Sequence, residues 1–423
     1  MKMKALALAA LPLAAIMVVG SALAQTPPGS TAYSPGKSFD QQSWAAFVAV
    51  VTPAPAPMPS GTLTFETWAT DADTFDTTPP VWPNFSTTSV AAHNEHRFQA
   101  SALERAHLPA GLPGAAPGAV PVSCAAPANP GSGNFPTPAK TKPPENCVAE
   151  EVRRNHASFD YIVKYKPDGL YSLAGLTAAF AANKPITFPK PSVEIKVDWA
   201  PVDTVAAWLN ANQGARQVVV GADFVRQNYF ITKQADGTEY AMISMHISTK
   251  ERPDWLWATF EHQLNPGRCD TMGCFDQYGV PAAIAAIAPN PVANTTYPAC
   301  TKSPALSAQF AKAGLPKVLN NYCLKDTQID FVSTQPKTKG QALLDGDSVI
   351  ERITANVPIA QSSCISCHAY ASFAKDGCVD FKTNPGLGSP GPIGNITPQS
   401  GQKTYDFVWG LIAINFPQSC LSQ

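Results

Sequence analysis

A chain of 423 residues with a formal net charge of −1 offers no basic surface for a nucleic-acid backbone or an anionic membrane. Only 14% of its residues are charged, against about 25% in typical globular proteins. Because 45% are hydrophobic, disorder is excluded too; 41 prolines and ten cysteines indicate a loop-rich, disulfide-braced extracytoplasmic protein.

Residues 1–24 read as a cleavable signal peptide. Lys2 and Lys4 precede a short apolar stretch, and Ala22-Leu23-Ala24 forms a small-x-small cleavage site before Gln25. The apolar run is short for a membrane span, and no other segment approaches spanning length. The expected product is periplasmic or secreted, with no transmembrane anchor after signal cleavage.

Residues 25–37 form a lead-in. Residues 38–51 carry an N-cap serine, an early aspartate and apolar positions at helical spacing. Residues 62–69 alternate like a short strand. From 108 to 147 proline, glycine, alanine and serine dominate without periodicity, which predicts a long surface excursion. Residues 148–166 return to helical character, and 172–182 suggest a second helix ended by Pro185 and Pro189. Strand signals follow at 192–200, 229–233, 239–248 and 254–262, with Asp236-Gly237 as a hairpin turn. They predict an antiparallel sheet across roughly 190–262, packed by helices on one side. Further helices are expected at 348–357 and 405–416, separated by a Gly/Pro loop at 386–394.

Between those last helices stands Cys364-Ile365-Ser366-Cys367-His368, a C-x-x-C-H run. Two thiols at this spacing can each add across a haem vinyl group, and the adjacent imidazole then lies under the iron. A zinc site would need two more ligands at comparable spacing, and a thioredoxin-type pair would need a βαβ context that is absent. Cys364, Cys367 and His368 are therefore the expected attachment set for one covalent haem c, with His368 as the axial metal ligand. The other eight cysteines leave an even number for disulfides. Pairing sequence neighbours would give 124–147, 269–274, 300–323 and 378–420, among about 105 connectivities.

The second axial ligand is not a methionine downstream of the motif, because Met58, Met242, Met245 and Met272 all precede it. His246 and His262 are the candidates, one on each strand of the expected hairpin, where a sheet would hold a ligand rigidly. Each has a plainer reading as a hydrogen-bonded structural histidine. His93 and His96 have metal-compatible spacing but no third ligand. Trp255, Trp257 and Phe260 suit core or haem-wall packing.

The segments DWLWATFEHQLNP, VEIKVDW, NHASFDYIV, SSCISCHAYASF and DFVWGL together resemble a family of secreted, single-haem cytochrome c-like bacterial proteins, across most of 38–416. The resemblance implies covalent haem at Cys364 and Cys367 with His368 axial, and draws attention to His246 and to Glu261-His262. It supplies no substrate.

The fold expected is α+β: an antiparallel sheet body with flanking helices over 25–340, loop-rich, and a mostly helical c-type haem-binding segment over 341–423 packed on that body. The function expected is single-electron transfer with a redox partner protein or a small-molecule donor or acceptor. The alternatives are a peroxidase-like or small-molecule oxidoreductase haem enzyme with an open distal site, and a haem-based sensor or binding module.

Overall fold

In the computed structural model the described residues are 30–32, 37–86, 88–94, 149–211, 219–234, 237–269, 272–280, 297–337, 339–350, 362–377 and 401–413. The expected signal peptide, the 108–147 excursion, His96, the 386–394 loop and residues 351–357 of the helix expected at 348–357 lie outside them, as do Cys124, Cys147, Cys378 and Cys420.

In chain order the strands are β1 (Ser30–Ala32), β2 (Ala69–Thr70), β3 (Ala149–Arg154), β4 (Val193–Pro201), β5 (Ile231–Lys233), β6 (Glu239–Thr249), β7 (Leu256–His262), β8 (Tyr322–Gln328), β9 (Ala342–Leu344), β10 (Ser372–Phe373) and β11 (Lys403–Thr404). The helices are α1 (Lys37–Val51), α2 (Val90–Asn94), α3 (His156–Lys164), α4 (Leu173–Ala181), α5 (Val202–Ala211), α6 (Ala222–Asn228), α7 (Pro304–Lys312) and α8 (Cys364–Ala369).

The protein is α+β. Among the described residues, one antiparallel sheet runs in the order β2-β3-β4-β6-β7-β8, with β5 also pairing with β6. The expected strands at its centre are present, and the sheet extends past them through β3 and β2 on one edge and β8 on the other. Two small pairs stand apart: β1 with β9, in parallel, and β10 with β11.

Three sequence expectations are corrected. Residues 148–166 are not one helix; β3 comes first, and α3 starts after Asn155, whose side chain accepts from Ser158 N. The polar residues of β3 are buried and need partners. Glu151 accepts from Arg153 and from Trp199 Nε1 at 2.8 Å, and Glu150 meets Lys196 at 3.1 Å. Across 62–69, a 3₁₀ turn at Thr64–Thr67 precedes the two residues of β2, because the Glu66 carboxylate reaches back to Leu63 N at 2.7 Å. Instead of a helix from 405, the chain makes a turn with positive φ at Asp406 and Phe407, then a 3₁₀ segment at Trp409–Ala413.

Register sorts the sheet into two unlike faces, because residues directly opposite one another share a side. One face carries Ile195, Val197, Met245, Ile247, Leu256, Ala258, Phe260 and Leu324, packed under Trp44, Phe47 and Val51 of α1 and Phe310 of α7. The other is polar. One row across it reads Lys196, His246, Thr259, Asp326, and the next reads Arg154, Glu194, Ser248, Trp257, Gln328. A third row holds Glu150, Asp198, Ser244 and Glu261. α8 lies over this polar face.

Candidate functional site

The C-x-x-C-H run forms α8, and β8 pins its first turn. The Ser363 hydroxyl caps the helix by accepting from Ser366 N. Gln328, at the end of β8, accepts from Ile365 N at 2.9 Å and donates to Ser363 Oγ at 2.9 Å. Ile365 is fully buried in a cluster with Trp255, Trp257, Tyr405, Phe407 and Trp409. Cys364 and Cys367 lie one helical turn apart, on the same side. Both are thiols, Cys364 buried and Cys367 half-buried. The Cys364 sulfur lies 4.0 Å from Thr259 Oγ1, and the Asp345 carboxylate accepts its hydrogen.

His368 is held by a backbone acceptor and an aromatic neighbour. Its Nδ1 is 2.7 Å from the carbonyl of Phe407. A carbonyl only accepts, so Nδ1 carries the proton and Nε2 keeps its lone pair. Burial pushes the imidazole down to about pH 3, against a smaller upward pull from that hydrogen bond, so the ring is neutral at physiological pH. The Trp257 ring packs 4.3 Å from it, and Trp409 Nε1 donates to the Cys367 carbonyl at 3.0 Å.

The two candidate second ligands part company. His246 projects from β6 onto the polar face, in the row beside Trp257. Burial, then the positive charges of Lys196 and Lys325, hold it neutral. Its Nε2 lies 3.9 Å from Asp347 Oδ2. His262 faces the other side of the sheet and is fully buried. Leu264 N can only donate to its Nδ1, at 3.2 Å, so Nε2 bears the proton and donates to the Asn228 carbonyl at 2.9 Å. The ring stacks on Tyr229 at 3.5 Å. The expectation for His262 is therefore corrected: both nitrogens are engaged in the core, across the sheet from His368. His93 is likewise occupied, between Asp73 at 2.9 Å and Arg153 at 3.3 Å.

Sequence reading missed the acidic layer beneath α8. Asp345, fully buried, sits 3.3 Å from Thr259 Oγ1, and Asp326 is Thr259's partner on β8. Burial pushes Asp345 up to about 6, with Lys325 pulling the other way. Asp326 is driven well above the carboxylate range by burial and by the charge of Asp345. Lys325 is itself held by Glu261 at 3.4 Å, which also accepts from Ser348 N at 2.8 Å. No sequence signal marks these acids, since each stands on an ordinary-looking strand or loop. Among the described residues no group of three or more His, Cys, Asp or Glu side chains is arranged to hold a bare metal ion. A cofactor here would be held by the two thiols and His368.

No family model matches this chain, no curated protein is similar to it, and no solved structure matches its fold. Two of the expected disulfides are present, Cys269–Cys274 and Cys300–Cys323. No described helix is long and apolar enough to cross a membrane.

Proposed function

We propose that this chain is a periplasmic or secreted c-type cytochrome, with one haem attached through Cys364 and Cys367, ligated by His368 and used for single-electron exchange with a protein or small-molecule partner. The observation that carries the reading is the His368 hydrogen bond to Phe407. It leaves Nε2 as a neutral donor beside two thiols on one helical turn, which is the donor set haem c requires. The surroundings fit the group as well. The apolar cluster around Ile365 excludes water, and within it Trp255 Nε1 and Tyr405 Oη are buried without a hydrogen-bond partner among the described residues, as donors suited to propionate carboxylates are. When bound, the haem supplies a one-electron Fe(III)/Fe(II) couple.

His246, held neutral and mounted on a central strand, is the residue that would serve as a second ligand to the haem. A second reading has its own support. The ring nitrogen nearest Asp347 is Nε2, an orientation that suits proton transfer over an open site in a haem enzyme.

The test is expression with c-type maturation, haem staining after denaturation, and optical spectra. Wild type should stain, and Cys364→Ala/Cys367→Ala should not. A low-spin spectrum that His246→Ala turns high-spin and CO-binding is expected for electron transfer. A high-spin, CO-binding wild type favours the enzyme. Absence of covalent haem from the matured wild type overturns the reading.

A further inference from the structure

Within that reading, we infer that Lys250 and Asp406 are positioning residues, an ion pair that aims the Phe407 carbonyl at His368 and thereby sets the donor strength of the proximal imidazole. The carbonyl belongs to an unusual turn. Asp406 and Phe407 both have positive φ, 55° and 71°, a region that side chains with a Cβ rarely adopt. Neither residue is glycine, so the conformation persists only if its surroundings impose it.

Three elements do so. Lys250, on the turn after β6, donates from Nζ to Asp406 Oδ1 at 2.6 Å and to the Pro253 carbonyl. The other carboxylate oxygen accepts from Phe188 N, on the loop before β4, at 2.7 Å. On either side of the pair, Tyr405 N bonds to the Ala371 carbonyl at 2.7 Å and Val408 N to the Tyr405 carbonyl at 3.2 Å. The pair is sheltered, with side-chain exposures of 7% for Lys250 and 10% for Asp406. A buried ion pair is weak support for stability as such, and its best-attested use is to enforce one geometry. Here the geometry enforced ends, one residue later, on the acceptor of the His368 Nδ1 proton.

That hydrogen bond gives the imidazole partial imidazolate character and favours the ferric state. Releasing the clamp should lengthen it and favour the ferrous state.

The variant to make is Lys250→Met/Asp406→Asn. It removes both charges without stranding either, and asparagine tolerates positive φ. Two readouts apply: the midpoint potential of the haem-loaded protein, and exchange of the His368 Nδ1 proton by NMR, which needs no haem. The expected result is a rise of about 59 mV, a tenfold shift of a one-electron couple, with roughly tenfold faster proton exchange as the hydrogen bond weakens. Lys250→Arg, which keeps the charge, should stay near wild type in both. A folded double variant with unchanged potential and unchanged exchange makes the pair a mere structural latch and overturns the inference. If the double variant takes up no haem, its exchange rate decides. If wild type takes up none, the cytochrome reading fails, while exchange still decides whether the pair holds the Phe407 carbonyl in place.

Discussion

His246 and His262 look equivalent in the sequence, and the β6–β7 register separates them. Even-numbered positions on β6 pair with odd-numbered positions on β7, so two even-numbered histidines face opposite sides. That register depends on the turn at 250–255, where Trp255 itself has a positive φ, and turn lengths are hard to read from residue types alone. The fate of His262 has a thermodynamic signature. Burial lowers its folded-state pKa to about 3, so between about pH 6.5 and 3 the unfolded chain holds a proton that the folded chain does not. Its contribution is complete above pH 6.5 and declines as pH falls through that window, by up to about 1.4 kcal/mol per unit. Urea unfolding of His262→Phe should show a shallower acid-side slope than wild type, together with a loss of about 2 kcal/mol at pH 7 from the two severed hydrogen bonds. An unchanged slope would mean that His262 is not the buried neutral residue described.

At the scale of elements, legibility follows how a strand hides its polar groups. VEIKVDW on β4 alternates and was readable, since each Val or Ile meets α1's side of the sheet. The Glu150-Glu151-Val152-Arg153-Arg154 run of β3 reads as helix because Val152 shares an apolar stripe at helical spacing with Phe159, Ile162 and Val163. In the fold all four charges are buried, Glu151 and Arg153 against each other and each of the four also against a partner distant in the chain: Lys196 for Glu150, Trp199 for Glu151, Asn94 for Arg153 and Asp71 for Arg154. Arg154 shows the consequence. It donates to the Thr70 carbonyl at 3.0 Å and to Thr74 Oγ1 at 2.6 Å, ion-pairs with Asp71, and lies 3.8 Å from Glu194. Arg154→Ala would strand two carboxylates, and we expect it to destabilise by about 3–5 kcal/mol in urea unfolding. Arg154→Lys should recover only part, because an ammonium cannot serve several acceptors from one planar fork. The motif was legible as a run of residues and not as a placement. Nothing in C-x-x-C-H announces Gln328 as its anchor, nor that the imidazole's acceptor would be a backbone carbonyl held by positive φ at an aspartate and a phenylalanine, where glycine or asparagine would have signalled the turn.

Across the whole molecule, covalent ties stand in for density that a proline-rich chain packs less easily. The Cys300–Cys323 bond spans 23 residues and joins the approach to α7 to the edge strand β8, whereas Cys269–Cys274 spans only 5. Loop-closure entropy makes the longer tie worth about 3 kcal/mol and the shorter about 2. Replacing each pair by serines should rank the two in that order by unfolding free energy, and equal losses would argue that local strain or residual unfolded-state structure dominates. The α+β class was legible because the strands of 190–262 are the centre of the sheet. Its edges were not, because β2 is two residues long and β8, Tyr-Cys-Leu-Lys-Asp-Thr-Gln, lacks a clean apolar alternation.

The polar face of the sheet closes over Cys364 until 8% of that residue is left exposed, with Ile365 and Ser366 sealed beneath it. Under the function proposed above, a sulfur that disappears on folding must receive its haem before the chain folds. The same proposal gives biogenesis a fixed order: export, then attachment on the open polypeptide, and only afterwards closure of the sheet. The rate at which the body folds sets the time allowed for the modification. Variants that fold faster would mature less completely, so that a gain in stability of the unmodified chain would appear in the cell as a loss of finished protein.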